Sequence, residues 1–196
     1  MSYKMNMVMN KERWDGIAKS RNFNEVCFGY PKEEDFWNFH EEGDRLIGLE
    51  KHMTFLDIGC GPGRLASRIA PQVKYYYGID IHKEMIAIAK EHYEELINAF
   101  FTHQDGRSLP NIKDETIDYV YERLMFIHIT KENIIEYLRE AERVLKPGGI
   151  LNIPDMPFDE RWVNGFTEDE IRELLVNFQT VDISMADNTF IIWGVK

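Results

Sequence analysis

The side chains best placed to do chemistry stand at the ends of apolar runs. Asp57 directly precedes three glycines at alternate positions, Gly59, Gly61 and Gly63, in the stretch FLDIGCGPGRL. Asp80 closes YYYGID, 21 positions after Gly59, and Asp105 follows AFFTHQ. A glycine removes a side chain where main chain must approach a neighbour closely or take a positive φ angle. A carboxylate roughly 20 residues beyond such a loop stands at the interval that reaches ribose hydroxyls in nucleoside-binding α/β folds. Its plain alternative is a solvated strand-end or helix-cap aspartate. Asp105 is suited to accept from an exocyclic amine, or else closes an ordinary Asp-Gly turn with Gly106.

The loop departs from a dinucleotide fingerprint. Counted from Gly59, the third glycine of G-x-G-x-x-G falls at position 64, which is Arg64. Pro62 also removes one N–H from a loop that would need donors to hold a pyrophosphate. A nicotinamide-dependent oxidoreductase is disfavoured on both counts. For proton transfer, His128 is the candidate base, with packing on a helix face as its structural alternative. Asp155, after the fifth strand, is a weaker candidate on the acceptor side. His40 and His52 read as surface or packing residues. Cys60, inside the glycine loop, has no base near it in sequence and reads as packing. No metal-ligand spacing is present.

These residues need strands and helices to hold them. From residue 53 the chain alternates: strand MTFLDI, helix GRLASRIA, strand KYYYGID, helix KEMIAIAKEHYEELIN, strands AFFTHQ and TIDYVYE. A helix from Lys131 to Leu145, a turn at KPGG, a strand ILNIP and a helix TEDEIRELLVNF follow. The closing runs TVDISM and TFIIWGV are separated by ADN, short enough for a hairpin, so the last strand is expected antiparallel. Alternation of this kind builds a mostly parallel sheet with helices on both faces. Residues 1–50 read as a helical, aromatic segment, with a helix starting after Asn10 and a second over residues 32–50. Its rings Trp14, Phe23, Phe28, Tyr30, Phe36 and Trp37 suit either a lid or a plain helix-to-core interface.

Composition narrows the classes. In 196 residues, 44% are hydrophobic, enough for one domain with a sizeable core. Lys plus Arg number 23 against 34 Asp plus Glu, a net charge of -11, so a nucleic-acid backbone would meet repulsion. Two cysteines, Cys27 and Cys60, suggest neither a disulfide framework nor a zinc site, and a reducing compartment fits. With no apolar run of membrane-spanning length and no apolar core in MSYKMNMVMN, a cytoplasmic protein without membrane contact is expected.

Taken in order, FLDIGCGPGRL, GIDIHKEMIAIAKE, QDGRSLPNIKDETIDYVYE, LREAERVLKPGGIL and GFTEDEIRELLVNF resemble the small, methyltransferase-11-like members of the class I S-adenosylmethionine-dependent methyltransferases. The resemblance covers residues 53–196 and implies a Rossmann-like, seven-stranded sheet with the last strand antiparallel. It implies a domain over residues 51–196 beneath a lid or substrate segment at 1–50, in one compact unit. It also implies that the loop of Asp57, Gly59, Cys60, Gly61 and Gly63 lies against the methionine part of the cofactor. Asp80 then binds both ribose hydroxyls, Ile81 meets the adenine face, Asp105 and Gly106 meet the adenine edge, and Glu122 borders the amino acid part. A cationic sulfonium and a zwitterionic end suit carboxylates and carbonyls better than an anion nest does.

The implied activity is methyl transfer to a small-molecule acceptor. A protein side chain as acceptor, or a non-catalytic module binding S-adenosylmethionine or S-adenosylhomocysteine, is the alternative. His82 stands where many relatives have a small polar residue, and RLMFIHI lacks the N/D-P-P-Y/F pattern of enzymes that methylate base amines.

Overall fold

The structure is a computed structural model that describes residues 11–20, 46, 48–104, 108–157, 164–186 and 189–196. Of the helix expected over 32–50 only 46 and 48–50 are described, and these are not helical, with Gly48 at φ +78°; its remainder, and Asp105, Gly106, Cys27, His40, Phe23, Phe28, Tyr30, Phe36 and Trp37, lie outside the described residues.

The elements in chain order are helix α1 (Lys11–Ser20), strand β1 (Thr54–Ile58), helix α2 (Ala66–Ile69), β2 (Tyr75–Asp80), α3 (Lys83–His92), β3 (Ala99–His103) and β4 (Ile117–Glu122). They continue with α4 (Lys131–Val144), β5 (Leu145–Pro157), α5 (Glu168–Leu174), β6 (Thr180–Ala186) and β7 (Thr189–Val195). Among the described residues the strands form one seven-stranded sheet in the order β3-β2-β1-β4-β5-β7-β6. The β1, β2, β3, β4 and β5 pairings are parallel, and β7 is antiparallel to both β5 and β6, as the ADN hairpin predicts.

Period-two alternation divides the core between the two sheet faces. Phe55 joins a cluster with Tyr76, Tyr119, Tyr121, Ala66 and Ala89, whereas Leu56 and Ile58 join Val120, Ile134, Leu138 and Ile171. Helices α2 and α3 thus cover one face, α4 and α5 the other. Across the first face Phe55 stacks on Tyr76 and Tyr119 at centroid distances of 5.8 and 5.1 Å, and the Tyr119 hydroxyl accepts from Asn152 Nδ2 at 2.8 Å. Such cross-strand pairs fix register, and register decides which side chains reach the strand ends.

Several boundaries differ from the sequence expectation. Helix α3 ends at His92 although the apolar period continues to Leu96. The chain must turn there to enter β3, and Asn98 Nδ2 pins the turn by donating to the Ala70 and Val73 carbonyls at 2.8 and 3.2 Å. The KPGG segment lies within β5 as an irregularity: Ile117 pairs Leu145 while Tyr119 pairs Ile150, and Gly148 takes φ +79°. Strand β5 runs on to Pro157, so Asp155 is part of the strand rather than beyond it. Helix α5 stops at Leu174, after a start fixed by a reciprocal cap between Thr167 and Glu170.

Candidate functional site

The strand order reverses between β1 and β4, and a cavity of about 320 Å³ lies at the carboxyl ends of β1, β2 and β4. Open parallel sheets bind ligands at this switch point. Gly59, Cys60, Gly61, Asp80, Ile81 and His128 line it, as do Trp14, His82, Met85, Leu124, Met125 and Tyr137.

The three glycines differ in role. A Cβ at Gly59, where φ is +75°, would stand 2.6 Å from Met125 Cβ. One at Gly63 would stand 2.8 Å from the Phe101 ring and 3.1 Å from Ala89 Cβ, so that glycine serves helix-to-sheet packing. At Gly61, with φ +54°, a Cβ would meet nothing within 4 Å. Gly61 alone of the three faces open space, where a ligand can approach the main chain.

Asp80 braces that approach. Its Oδ2 accepts the Gly61 N–H at 2.9 Å and its Oδ1 accepts the His82 N–H at 2.8 Å. A carboxylate offers about four lone-pair positions, so capacity remains for hydroxyl donors in the cavity. Burial pushes the Asp80 carboxyl above its ordinary range, while His82 and the two amides pull it back. Burial, with the charges of Asp57 and Asp80, pushes the Cys60 thiol well up, so it stays a neutral packing group.

Behind the loop lies a second set of carboxylates. Asp57 is buried and accepts from the Tyr76 hydroxyl. Glu122, in register with Ile58, accepts the Met125 and Phe126 N–H groups through Oε1 at 2.7 and 2.9 Å. Asp155 Oδ2 accepts the Leu124 N–H at 2.5 Å. Three successive amides are therefore gathered by two carboxylates. This holds Leu124 at φ +61°, a region that disfavours a branched side chain. Glu122 Oε2 is buried with no hydrogen-bond partner among the described residues. Burial, followed by the nearby charge of Asp155, raises the Glu122 carboxyl well above its ordinary value.

The segment after β4 is secured from the far side. Asn164 Nδ2 donates to the Phe126 and Ile129 carbonyls at 2.7 and 2.6 Å. The 3-10 turn Phe126–His128 is thereby fixed, and His128, buried but lining the cavity, faces Trp14 with ring centroids 5.1 Å apart.

The structure thus brings Gly59, Cys60, Gly61, Asp80, Ile81 and His128 to one cavity and sets Asp57 and Glu122 behind it. His52 is exposed and pairs with Glu50 at 3.3 Å, as its surface reading anticipates. Asp155 joins Glu122 through β4–β5 pairing, and Asp15 joins His82, at 2.8 Å. Neither partnership has a local sequence signal. No group of three or more His, Cys, Asp or Glu suited to a metal occurs among the described residues. No helix among them is long and apolar enough to cross a membrane.

Comparison with known proteins agrees with the fold. A family model described as "Methyltransferase domain" matches residues 55–149. Demethylmenaquinone methyltransferase of Staphylococcus aureus is 32% identical over 111 residues, covering 54% of this chain and 44% of that protein. The chain thus matches less than half the length of that relative. A putative S-adenosyl-L-methionine-dependent methyltransferase of Methanococcus maripaludis superposes with TM-score 0.68 at 19% identity, covering 97% of each chain. Phosphoethanolamine N-methyltransferase 1 of Haemonchus contortus, in complex with phosphoethanolamine and S-adenosylhomocysteine, gives 0.71 at 14% identity, covering 94% of this chain and 47% of that one. At these identities the structural likeness shows the fold.

Proposed function

We propose that this chain transfers a methyl group from S-adenosylmethionine to a small-molecule acceptor bound in the described cavity, a reading supported by the match of residues 55–149 to a family model described as "Methyltransferase domain". The observation that carries the reading is the joint placement of Asp80 and Gly61: a braced carboxylate beside main chain stripped of its side chain, both on one cavity.

The residues fit the cofactor's chemistry. Asp80 would hold the ribose hydroxyls and Ile81 would meet the adenine face, with Asp105 and Gly106 at its edge. The Gly61 main chain would border the methionine portion. Glu122, with its orphaned Oε2 backed by Asp57 and Asp155, would receive the ammonium group. A buried carboxyl held above its ordinary range becomes a good ammonium partner once the cation arrives, because the opposite charge favours its ionised form. When bound, S-adenosylmethionine supplies a methyl group activated by an adjacent sulfonium.

The chain's own contribution is alignment, exclusion of water and electrostatics. If the acceptor is a hydroxyl, His128 is the group lining the cavity that would take its proton. The small-molecule assignment is supported by the cavity's size, which lies at the low end of ligand pockets, and by the relative whose name specifies demethylmenaquinone. The first 50 residues would act as a lid, of which α1 supplies Trp14 to the cavity wall.

The test is transfer of label from methyl-labelled S-adenosylmethionine to a panel of hydroxyl, amine and carbon acceptors. Label appearing in a small acceptor, and lost in Gly61→Val, supports the proposal. A wild type that binds S-adenosylhomocysteine yet labels only added peptides, or nothing in the panel, contradicts it.

A further inference from the structure

Helix α1 precedes the span matched by the family model, residues 55–149, yet it meets the strand ends of that span. The Trp14 ring stands 5.1 Å from the His128 ring and 6.4 Å from the His82 ring, centroid to centroid. His82 follows β2, His128 follows β4, and β1 lies between those strands. The indole thus reaches walls on either side of the loop that carries Gly61. The next residue, Asp15, accepts from His82 Nδ1 at 2.8 Å, in a pair whose side chains are 19% and 9% exposed. His82 stands at the N-cap of α3 without a side-chain cap bond, and its backbone N–H is held by Asp80 Oδ1 at 2.8 Å. One residue therefore joins α1 to the carboxylate assigned to the cofactor.

We propose that α1 is a gate for the cofactor: the Asp15–His82 bond holds it shut across the cavity, and S-adenosylmethionine enters and S-adenosylhomocysteine leaves only when that bond breaks and α1 lifts. The proposal rests on the reading of the chain as a methyltransferase and adds the step that controls cofactor exchange. The helix is suited to local opening. It has ten residues, too few for an isolated helix to persist in water, so lifting it also unwinds it. Of its described side chains only Ile17 and Ala18 are buried. Gly16 is exposed in its middle, and a Cβ there would meet nothing within 4 Å. A glycine at such an open interior position weakens the helix with no packing gain in return. Lys19 approaches Glu84 only to 3.9 Å with 67% of its side chain exposed, so that pair adds little. The Asp15–His82 bond, with a carboxylate as acceptor and both side chains mostly shielded from water, is the stronger of the two ties.

The experiment follows release of radiolabelled S-adenosylhomocysteine from the full chain into an excess of unlabelled ligand, alongside hydrogen exchange of the α1 amides. Asp15→Ala should release the ligand about tenfold faster, the worth of one hydrogen bond to a charged group, even though alanine favours a helix. Asp15→Asn, which keeps an oxygen to accept from the imidazole, should recover most of the difference. Gly16→Ala adds a methyl to open space and should slow release about threefold, because a firmer helix is harder to unwind. Bound ligand should slow exchange of the α1 amides in the wild type. A passive wall would not give opposite changes in release from two adjacent substitutions.

Equal release from wild type, Asp15→Ala and Gly16→Ala, or α1 exchange indifferent to bound ligand, overturns the proposal. If the wild type binds no S-adenosylhomocysteine, the cofactor reading itself fails. Exchange of α1 without ligand then still reads the tie: faster exchange in Asp15→Ala than in wild type supports it, and equal exchange removes it.

Discussion

Gly61 donates its backbone N–H to Asp80 Oδ2 at 2.9 Å, which joins the loop after β1 to the end of β2 across the cavity mouth. Because nothing lies within 4 Å of where a Gly61 side chain would begin, the free space beside this bond is room for a ligand. The neighbouring Gly59 offers no such room, since the Met125 side chain fills it.

Substitutions at these two glycines should therefore separate folding from binding. Gly61→Ala meets only the left-handed backbone cost, roughly 1–2 kcal/mol, but places a methyl in the ligand's path. Gly59→Ala adds a collision with Met125 and should destabilise more. Chemical denaturation checks the order of stability. Titration with S-adenosylhomocysteine should show the larger loss, relative to stability, at Gly61.

Glu122→Gln should stabilise the ligand-free protein at neutral and higher pH while weakening cofactor binding. Burial and Asp155 raise the native Glu122 carboxyl above its ordinary value, so the native state holds this proton more tightly than the unfolded chain. Its stabilising contribution is complete below the ordinary glutamate value, about 4.3, and is lost as pH rises toward the raised native one. The melting-temperature advantage of Glu122→Gln should accordingly grow from pH 5 to pH 8. Affinity for S-adenosylhomocysteine should fall about tenfold through loss of the charge opposite the ammonium. An advantage that shrinks with rising pH would contradict the account.

His128→Gln should lower kcat for a hydroxyl acceptor by about two orders of magnitude or more, the usual contribution of a positioned base. S-adenosylhomocysteine affinity should be unchanged. Raising the pH toward the acceptor's own ionisation should recover part of the loss. Steady-state rates across pH with one acceptor check this, and an unaltered kcat would return His128 to a packing role.

Residues close in sequence carried the legible part of the site. The loop around Gly61 and the 21-residue step from Gly59 to Asp80 are local enough to be read, because strand, turn and helix follow each other without interruption. The β6–β7 hairpin was legible for the same reason. Glu122 and Asp155 meet only because β4 and β5 pair, and Asp15 reaches His82 across 67 positions. No periodicity encodes such encounters. The apolar period of α3 overran its true end because side-chain spacing does not register that the chain must turn into β3, a turn held by Asn98 from outside the helix.

The most direct test is calorimetric titration of wild type and Asp80→Ala with S-adenosylmethionine, S-adenosylhomocysteine and a nicotinamide dinucleotide. The wild type should bind both sulfur ligands and not the dinucleotide. Asp80→Ala should lose roughly tenfold to a hundredfold, the worth of two charge-assisted hydrogen bonds to ribose. Binding of the dinucleotide, absence of binding by either sulfur ligand, or equal affinities in wild type and variant would contradict the assignment of this cavity.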